Sequence, residues 1–525
     1  MEAIGRERNY SKCIVVLIVV SGIIRLFFAG TVELNNDEVY YWTYAQHLQW
    51  NYFDHPPMVA LTIRCFTLNL IVQNELFIRL GAVVCAALST WVMFRIGCML
   101  KDKYTGWVCA CIYTASFYGS VIAGILILPD SPQVLFWLLA VCTMLSIVRT
   151  SHVNRKIDMQ LIVLGIFIGL CILSKVHGVF LWFGFICYII TFNRKLLSNP
   201  YLYLAIVLTA LMVLPSALWT VENNFATYTY HSSRISIKGL QPYSFLRELA
   251  GTILYNNPVV FYLTVTGIVY SARNKLPLFS GHRQLLFWLG LPLIGTILFI
   301  SLFNDTLPHW SGPAYLTLIP FGALYITSVF QRETLAPLIP SPVRIGLALT
   351  LSSLTLSLLL INFWPGSLGN KTLPGYGARD VTLDMSGWRQ FKKEFDRFVS
   401  HDSSNNNLPR AGYIFSDYWF PAGHLAFYVA RPLKMHIIAV GSPSSIHHFA
   451  WLNKRVPPLK NGSDAYYINI SNFYNAPPAT LVNMFQSASQ PVLIPQTRIG
   501  AIVRYFYIYK LHNYKGGLPA SGIIE

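Results

Sequence analysis

Long apolar runs separated by short polar loops fill the first 363 positions, and the pattern stops at Trp364. Stretches of roughly 17 to 25 apolar residues, the length that crosses a hydrocarbon core, recur about eleven times. They lie near residues 12–30, 78–99, 106–126, 132–149, 159–174, 177–192, 200–219, 252–271, 285–303, 313–330 and 345–363. Beyond them the periodicity changes. An amphipathic helical pattern at 387–399 precedes a polar linker at 401–407, strand-like runs occur at 412–415, 465–470 and 502–509, and a helical pattern covers 478–486. The pattern predicts a polytopic α-helical membrane domain over residues 1–363, with about eleven transmembrane helices, followed by a small α/β domain over 364–525.

Composition agrees. Of 525 residues 54% are hydrophobic and only 12% charged, half the share typical of soluble proteins, which excludes a soluble globular class. The net charge of +17 would suggest nucleic acid in a soluble chain, so the placement of the basic residues decides its meaning. With the N-terminus in the cytoplasm, the cytoplasmic loops hold about fifteen Lys and Arg and the opposite loops about five. The excess is topological, and nucleic acid is not an expected partner. An odd number of spans then puts the C-terminal domain outside the cytoplasm. The first apolar run follows Arg6, Arg8 and Lys12 and resembles a signal peptide, but it lacks a small-residue cleavage site and reads as a retained helix. All nine cysteines fall between Cys13 and Cys187, mostly inside apolar runs and without metal-ligand spacing, and read as packing residues.

The outer-face loops gather the chemistry. They carry Asp37, Glu38, Asp54, His55, Asp130, Lys175, His177, Arg234 and His309 where the helices emerge, whereas a transporter places ionisable groups near the bilayer midplane, often in pseudo-symmetric halves. Transport of a lipid or solute is the alternative class. Between Asp37-Glu38 and Asp54-His55, the recurrence of Val39, Trp42, Ala45 and Leu48 predicts an amphipathic helix lying in the membrane interface. Such a helix would hold a carboxylate pair at the water boundary, although an N-cap with a first-turn acid explains Asp37-Glu38 equally well. Asp130 before Ser131 and Pro132 likewise reads as a helix start, and Lys175 as a side chain snorkelling from a helix end.

In combination, Asp37-Glu38, Tyr52-Phe53-Asp54-His55-Pro56-Pro57, Pro129-Asp130-Ser131-Pro132, Leu173-Ser174-Lys175 and Pro308-His309-Trp310 resemble the GT-C membrane glycosyltransferases. The similarity is to bacterial members of the dolichyl-phosphate-mannose protein mannosyltransferase superfamily, which includes the aminoarabinose and lipopolysaccharide-core galacturonic acid transferases, and it covers about the first 320 residues. The resemblance implies a multi-pass protein of the cytoplasmic (inner) membrane that takes a sugar from a polyprenyl-phosphate carrier. The sugar goes to an acceptor hydroxyl on a glycolipid, glycan or protein outside the cytoplasm, with inversion at the anomeric centre. It assigns Asp37 as catalytic base, Glu38 as an acceptor-orienting or structural partner, and Asp130 as the second outer-loop carboxylate. Asp54-His55 would border the carrier phosphate, where this chain has an imidazole in place of the permanent cation of some relatives. Lys175, His177, Arg234 and His309 join the substrate-binding set. No cofactor is required, and a divalent cation between Asp37 and Asp130 is compatible with this chemistry.

Overall fold

The computed structural model describes residues 9–149, 155–235, 239–330, 337–406 and 412–524, without the side chains of 233–235 and 402–406. The chain divides into two compact units. One comprises Met1–Ala29, Leu48–Asn51 and His55–Ser353; the other comprises Gly30–His47, Tyr52–Asp54 and Leu354–Glu525.

The first unit is helical. Among the described residues eight helices are long and apolar enough to cross a membrane: Tyr10–Thr31, Glu75–Leu100, Asp130–Arg149, Arg155–Ser174, Pro200–Glu222, Ser280–Ser301, Pro308–Phe330 and Ser341–Phe363. Their starts follow local chemistry. Asn74 accepts the Phe77 N–H, and Pro200 sits in a first turn, where its missing donor costs nothing.

Three of the eleven expected segments depart from a simple span. The 106–126 run forms the helix Lys103–Ala115, stops at Ser116, and continues as a single π-helical turn over Tyr118–Ile122. Irregular backbone at this depth is tolerated where protein surrounds it, and Tyr118, Gly119 and Ser120 are all buried. The 252–271 run is broken: Pro242–Tyr255 and Pro258–Ala272 meet at 99° and make a ninth span if counted together. At the break Asn257 adopts φ 65°, and its side chain satisfies the exposed backbone. Nδ2 donates to the carbonyls of Ala115 and Gly346, and Oδ1 accepts the Val259 N–H. The 177–192 run is a shorter apolar helix, Val176–Phe192.

In the second unit a six-stranded mixed sheet is built from β1 (Tyr413–Ser416), β2 (His436–Ala439), β3 (Ala465–Ile470), β4 (Phe485–Ala488), β5 (Val492–Arg498) and β6 (Ala501–Tyr514). The order is β2-β1-β3-β6-β4, with β5 also on β6; β1 runs parallel to β2 and β3, and β6 is antiparallel to β3, β4 and β5. The expected strands are β1, β3 and β6. Of the polar run expected as a linker at 401–407, residues 401–406 are instead the last turns of the helix Trp388–Asn406, because no glycine or proline interrupts it, and residue 407 lies outside the described residues. Trp388, Phe391, Phe395 and Val399 form the buried stripe of that helix, and Phe391 stacks on Phe506 of β6 at 3.8 Å between ring centroids.

The segment leaving the first apolar helix is part of this unit. Both oxygens of the buried Glu33 carboxylate accept backbone N–H groups at the start of the helix Trp388–Asn406, from Trp388 at 2.8 Å and Arg389 at 2.9 Å. The Leu34 N–H donates to Tyr428 Oη at 2.8 Å. The helix Asn36–Gln46 follows, and every residue from Glu38 to Ala45 is buried. The expectation of an amphipathic helix lying in the membrane interface is therefore corrected. Trp42 packs edge-on to Phe427, Tyr40 to Trp419 and Tyr44 to His448, so the aromatic side chains are held by protein.

Glu33→Ala leaves two buried N–H groups without their acceptor. It should lower the unfolding temperature of the detergent-solubilised protein, with a loss of about 2 to 4 kcal/mol. Thermal melts of wild type and variant check this, and equal melting temperatures would contradict the anchoring role.

Candidate active site

In the first unit Asp130, Lys175 and Tyr118 form a buried triad. Lys175 Nζ donates to both carboxylate oxygens of Asp130, at 3.0 and 2.9 Å, and Tyr118 Oη donates to Asp130 Oδ1 at 2.8 Å. The Lys175 and Asp130 side chains are only 4% and 3% exposed. Snorkelling requires the ammonium to reach water, so that reading of Lys175 is excluded. A helix-start role for Asp130 accounts for the backbone only, because its carboxylate is spent on Lys175 and Tyr118. The break after Ala115 is what lets Tyr118 turn toward Asp130. Gly312 completes the fit, since a Cβ there would collide with the Tyr118 ring.

Imidazoles surround the triad. His177 lies within electrostatic reach of Lys175, Asp130, His55 and His231, and His309 within reach of Asp130. The His177 ring is 6.1 Å from Trp310, His309 is 6.2 Å from Tyr255, and His55 is 6.2 Å from His231. His177 Nδ1 is buried without a hydrogen-bond partner among the described residues, a state rare in folded proteins unless a ligand or water completes the set. Arg234 lies in the helix Ala226–Ile235, but its side chain is outside the described ones. Sequence reading missed Tyr118 and His231. Tyr118 sits inside an apolar run, and only the backbone break gives it a role.

The second unit holds the other carboxylates. Asn35, not Asp37, is the N-cap of the helix Asn36–Gln46. Its Oδ1 accepts the Glu38 N–H at 2.8 Å while Glu38 Oε2 accepts the Asn35 N–H at 2.9 Å, a reciprocal capping box. Glu38 is therefore committed to shaping the loop, and Asp37, one residue earlier, is exposed. Asp54 is buried, and its Oδ1 accepts the hydroxyls of Tyr44 and Tyr40, the latter at 3.2 Å. Tyr40 Oη in turn accepts the His448 N–H at 3.0 Å. Burial pushes His448 down to about 3, against the partial opposition of the Asp54 charge, so its ring is neutral at physiological pH. Burial, followed by the Asp54 charge, pushes the Tyr44 hydroxyl well up, keeping it a donor. Asp54 thus fixes the loop through two nearby tyrosines, and the His448 contact that completes this network was not legible because His448 lies about 400 residues away from Tyr40 in sequence.

Among the described residues no group of three or more His, Cys, Asp or Glu side chains is arranged to hold a metal ion.

The family described as dolichyl-phosphate-mannose-protein mannosyltransferase matches residues 54–219. The lipid A galacturonosyltransferase RgtD of Rhizobium johnstonii is 22% identical over 299 residues, covering 55% of this chain; the matched region spans 60% of that relative's length. Crystal structures of ArnT from Cupriavidus metallidurans share the fold across nearly the whole chain. The apo form has a TM-score of 0.57 at 12% identity, covering 95% of this chain and 98% of ArnT. The form bound to undecaprenyl phosphate has a TM-score of 0.58 at 15% identity, covering 94% and 97%. The chain therefore has the multi-pass helical membrane fold of the GT-C type seen in ArnT, and its residues 54–219 are similar to the dolichyl-phosphate-mannose-protein mannosyltransferase family.

Proposed function

We propose that this protein is an inverting glycosyltransferase. It moves a sugar from a polyprenyl-phosphate carrier to an acceptor hydroxyl, on an envelope glycolipid, glycan or protein, at the outer face of the cytoplasmic membrane. The observation that carries the reading is the buried Lys175–Asp130–Tyr118 triad with His177 and His309 beside it, and with His55 and His231 near His177. A cation with a counter-ion and several N–H donors suits a phosphate leaving group. The shared fold of ArnT, one structure of which holds undecaprenyl phosphate, supports the class of carrier.

In the proposed reaction the acceptor oxygen attacks the anomeric carbon, the bond from that carbon to the carrier phosphate breaks, and the phosphate leaves with the bonding electrons. Asp37 takes the acceptor's proton as general base. Its exposure at the second position of a capped helix leaves the carboxylate accessible to an acceptor, and the capping box of Asn35 and Glu38 sets its position. Lys175 and the neighbouring imidazoles stabilise charge on the departing phosphate, while Asp130 supplies the counter-ion that a buried ammonium needs. A single phosphate as leaving group places no obligatory demand for a metal on this step.

Asp37→Asn keeps size and hydrogen bonding but removes proton acceptance, so turnover should fall by roughly 10² to 10⁴-fold with little change in donor affinity. Near-normal turnover in the folded variant would end the assignment. Lys175→Ala alone strands a buried carboxylate and should cost about 3 to 5 kcal/mol of stability, confounding any binding measurement. The pair Asp130→Asn with Lys175→Gln removes both charges. It should restore most of the melting temperature yet bind the carrier phosphate about 10 to 100-fold more weakly than wild type. Wild-type donor affinity in the pair would make the triad purely structural.

A further inference from the structure

Three cations outside the proposed active site converge on one cavity. A pocket of about 690 Å³ lies among the helices Glu75–Leu100, Asp130–Arg149 and Arg155–Ser174, lined by Arg95, Arg155, Lys156, Ser146 and Gln160 and walled by apolar residues including Met159. It sits at the helix ends that the distribution of basic residues assigns to the cytoplasm.

Placement by the positive-inside rule accounts for Arg155 and Lys156 but not for Arg95. That rule concerns loops, whereas Arg95 lies within the apolar helix Glu75–Leu100, more than a turn from its end. Arg155 and Lys156, both exposed, lie in the first described turn of the helix Arg155–Ser174. The acid in that turn, Asp158, accepts a hydrogen bond from Asn199 Nδ2 at 2.8 Å. None of the three cations forms an ion pair among the described residues. An anion in the pocket would meet all three. Gln160 adds a second independent sign. Its Nε2 donates to Ser146 Oγ at 2.7 Å, leaving Oε1 buried with no donor among the described residues.

We propose that this pocket binds the headgroup of an anionic membrane lipid: its phosphate between Arg95, Arg155 and Lys156, a headgroup hydroxyl donating to Gln160 Oε1, and its chains along the apolar wall at Met159. Phosphatidylglycerol has this chemistry. The lipid site is separate from the carrier-phosphate triad and holds whether or not that reading of the triad does.

The test is titration of the purified, delipidated full chain in detergent with fluorescent phosphatidylglycerol, against phosphatidylcholine and inorganic phosphate. Wild type should prefer phosphatidylglycerol, and the variant Arg95→Gln, Arg155→Gln, Lys156→Gln should bind it roughly 100-fold more weakly, at about fivefold per cation. Arg95→Lys with Arg155→Lys keeps the charge and should retain most of the affinity, which separates loss of charge from loss of fold. Equal affinity for phosphatidylcholine, competition by inorganic phosphate at the same concentration as the lipid, or unchanged binding in the glutamine variant would each overturn the proposal.

Discussion

A charged group taken out of water must meet its opposite, and the Lys175–Asp130 pair is where this constraint organises the membrane unit. The ammonium and carboxylate are both almost fully buried and bond at 2.9 and 3.0 Å. Such a pair contributes little net stability, because desolvation offsets most of the attraction. Several otherwise odd features follow from it. The helix after Lys103 stops at Ala115 so that Tyr118 can donate to Asp130, and Gly312 has no side chain where the Tyr118 ring lies. Asn257 caps the freed Ala115 carbonyl from a broken helix.

The second unit obeys a different constraint, the satisfaction of helix termini. Glu33 supplies the acceptor for two N–H groups of the helix Trp388–Asn406, and Asn35 with Glu38 closes the start of the next helix along the chain. With Asp54 tied to Tyr40 and Tyr44, these carboxylates hold one loop in place and leave Asp37 as the exposed acid on it. The sheet domain is therefore more than an appendage. It shares a buried core with residues 30–47, and Arg504 at its centre, 1% exposed, donates to the carbonyls of Leu383 and Ser386 that precede the anchored helix.

Much of the plan was legible in the chain because it rests on local patterns. Apolar runs marked eight long helices, and short strand-like runs rich in aromatic and β-branched residues found β1, β3 and β6. Strands β2, β4 and β5 were not legible, being four to seven residues long with weak alternation. Five short motifs pointed to the family, yet their roles diverged once partners were visible. Glu38 proved to be a cap and Asp54 an acceptor for tyrosines, whereas Lys175 proved to be buried. The interfacial-helix reading of residues 39–48 failed for one reason: amphipathic spacing reports which face is apolar, but not that the other face is also covered, here by Phe427, Trp419 and His448.

Under the proposed function the membrane unit contributes a buried cation for the phosphate and the loop an exposed acid for the proton. In that proposal the pairing of roles suits group transfer from a phosphate carrier better than carriage of an intact solute. The most direct test is mass spectrometry of envelope glycolipids and glycoproteins with and without this gene. The account predicts that one sugar residue disappears from an envelope molecule while its polyprenyl-phosphate-linked form accumulates. Unchanged glycans and unchanged carrier-linked sugar would contradict it.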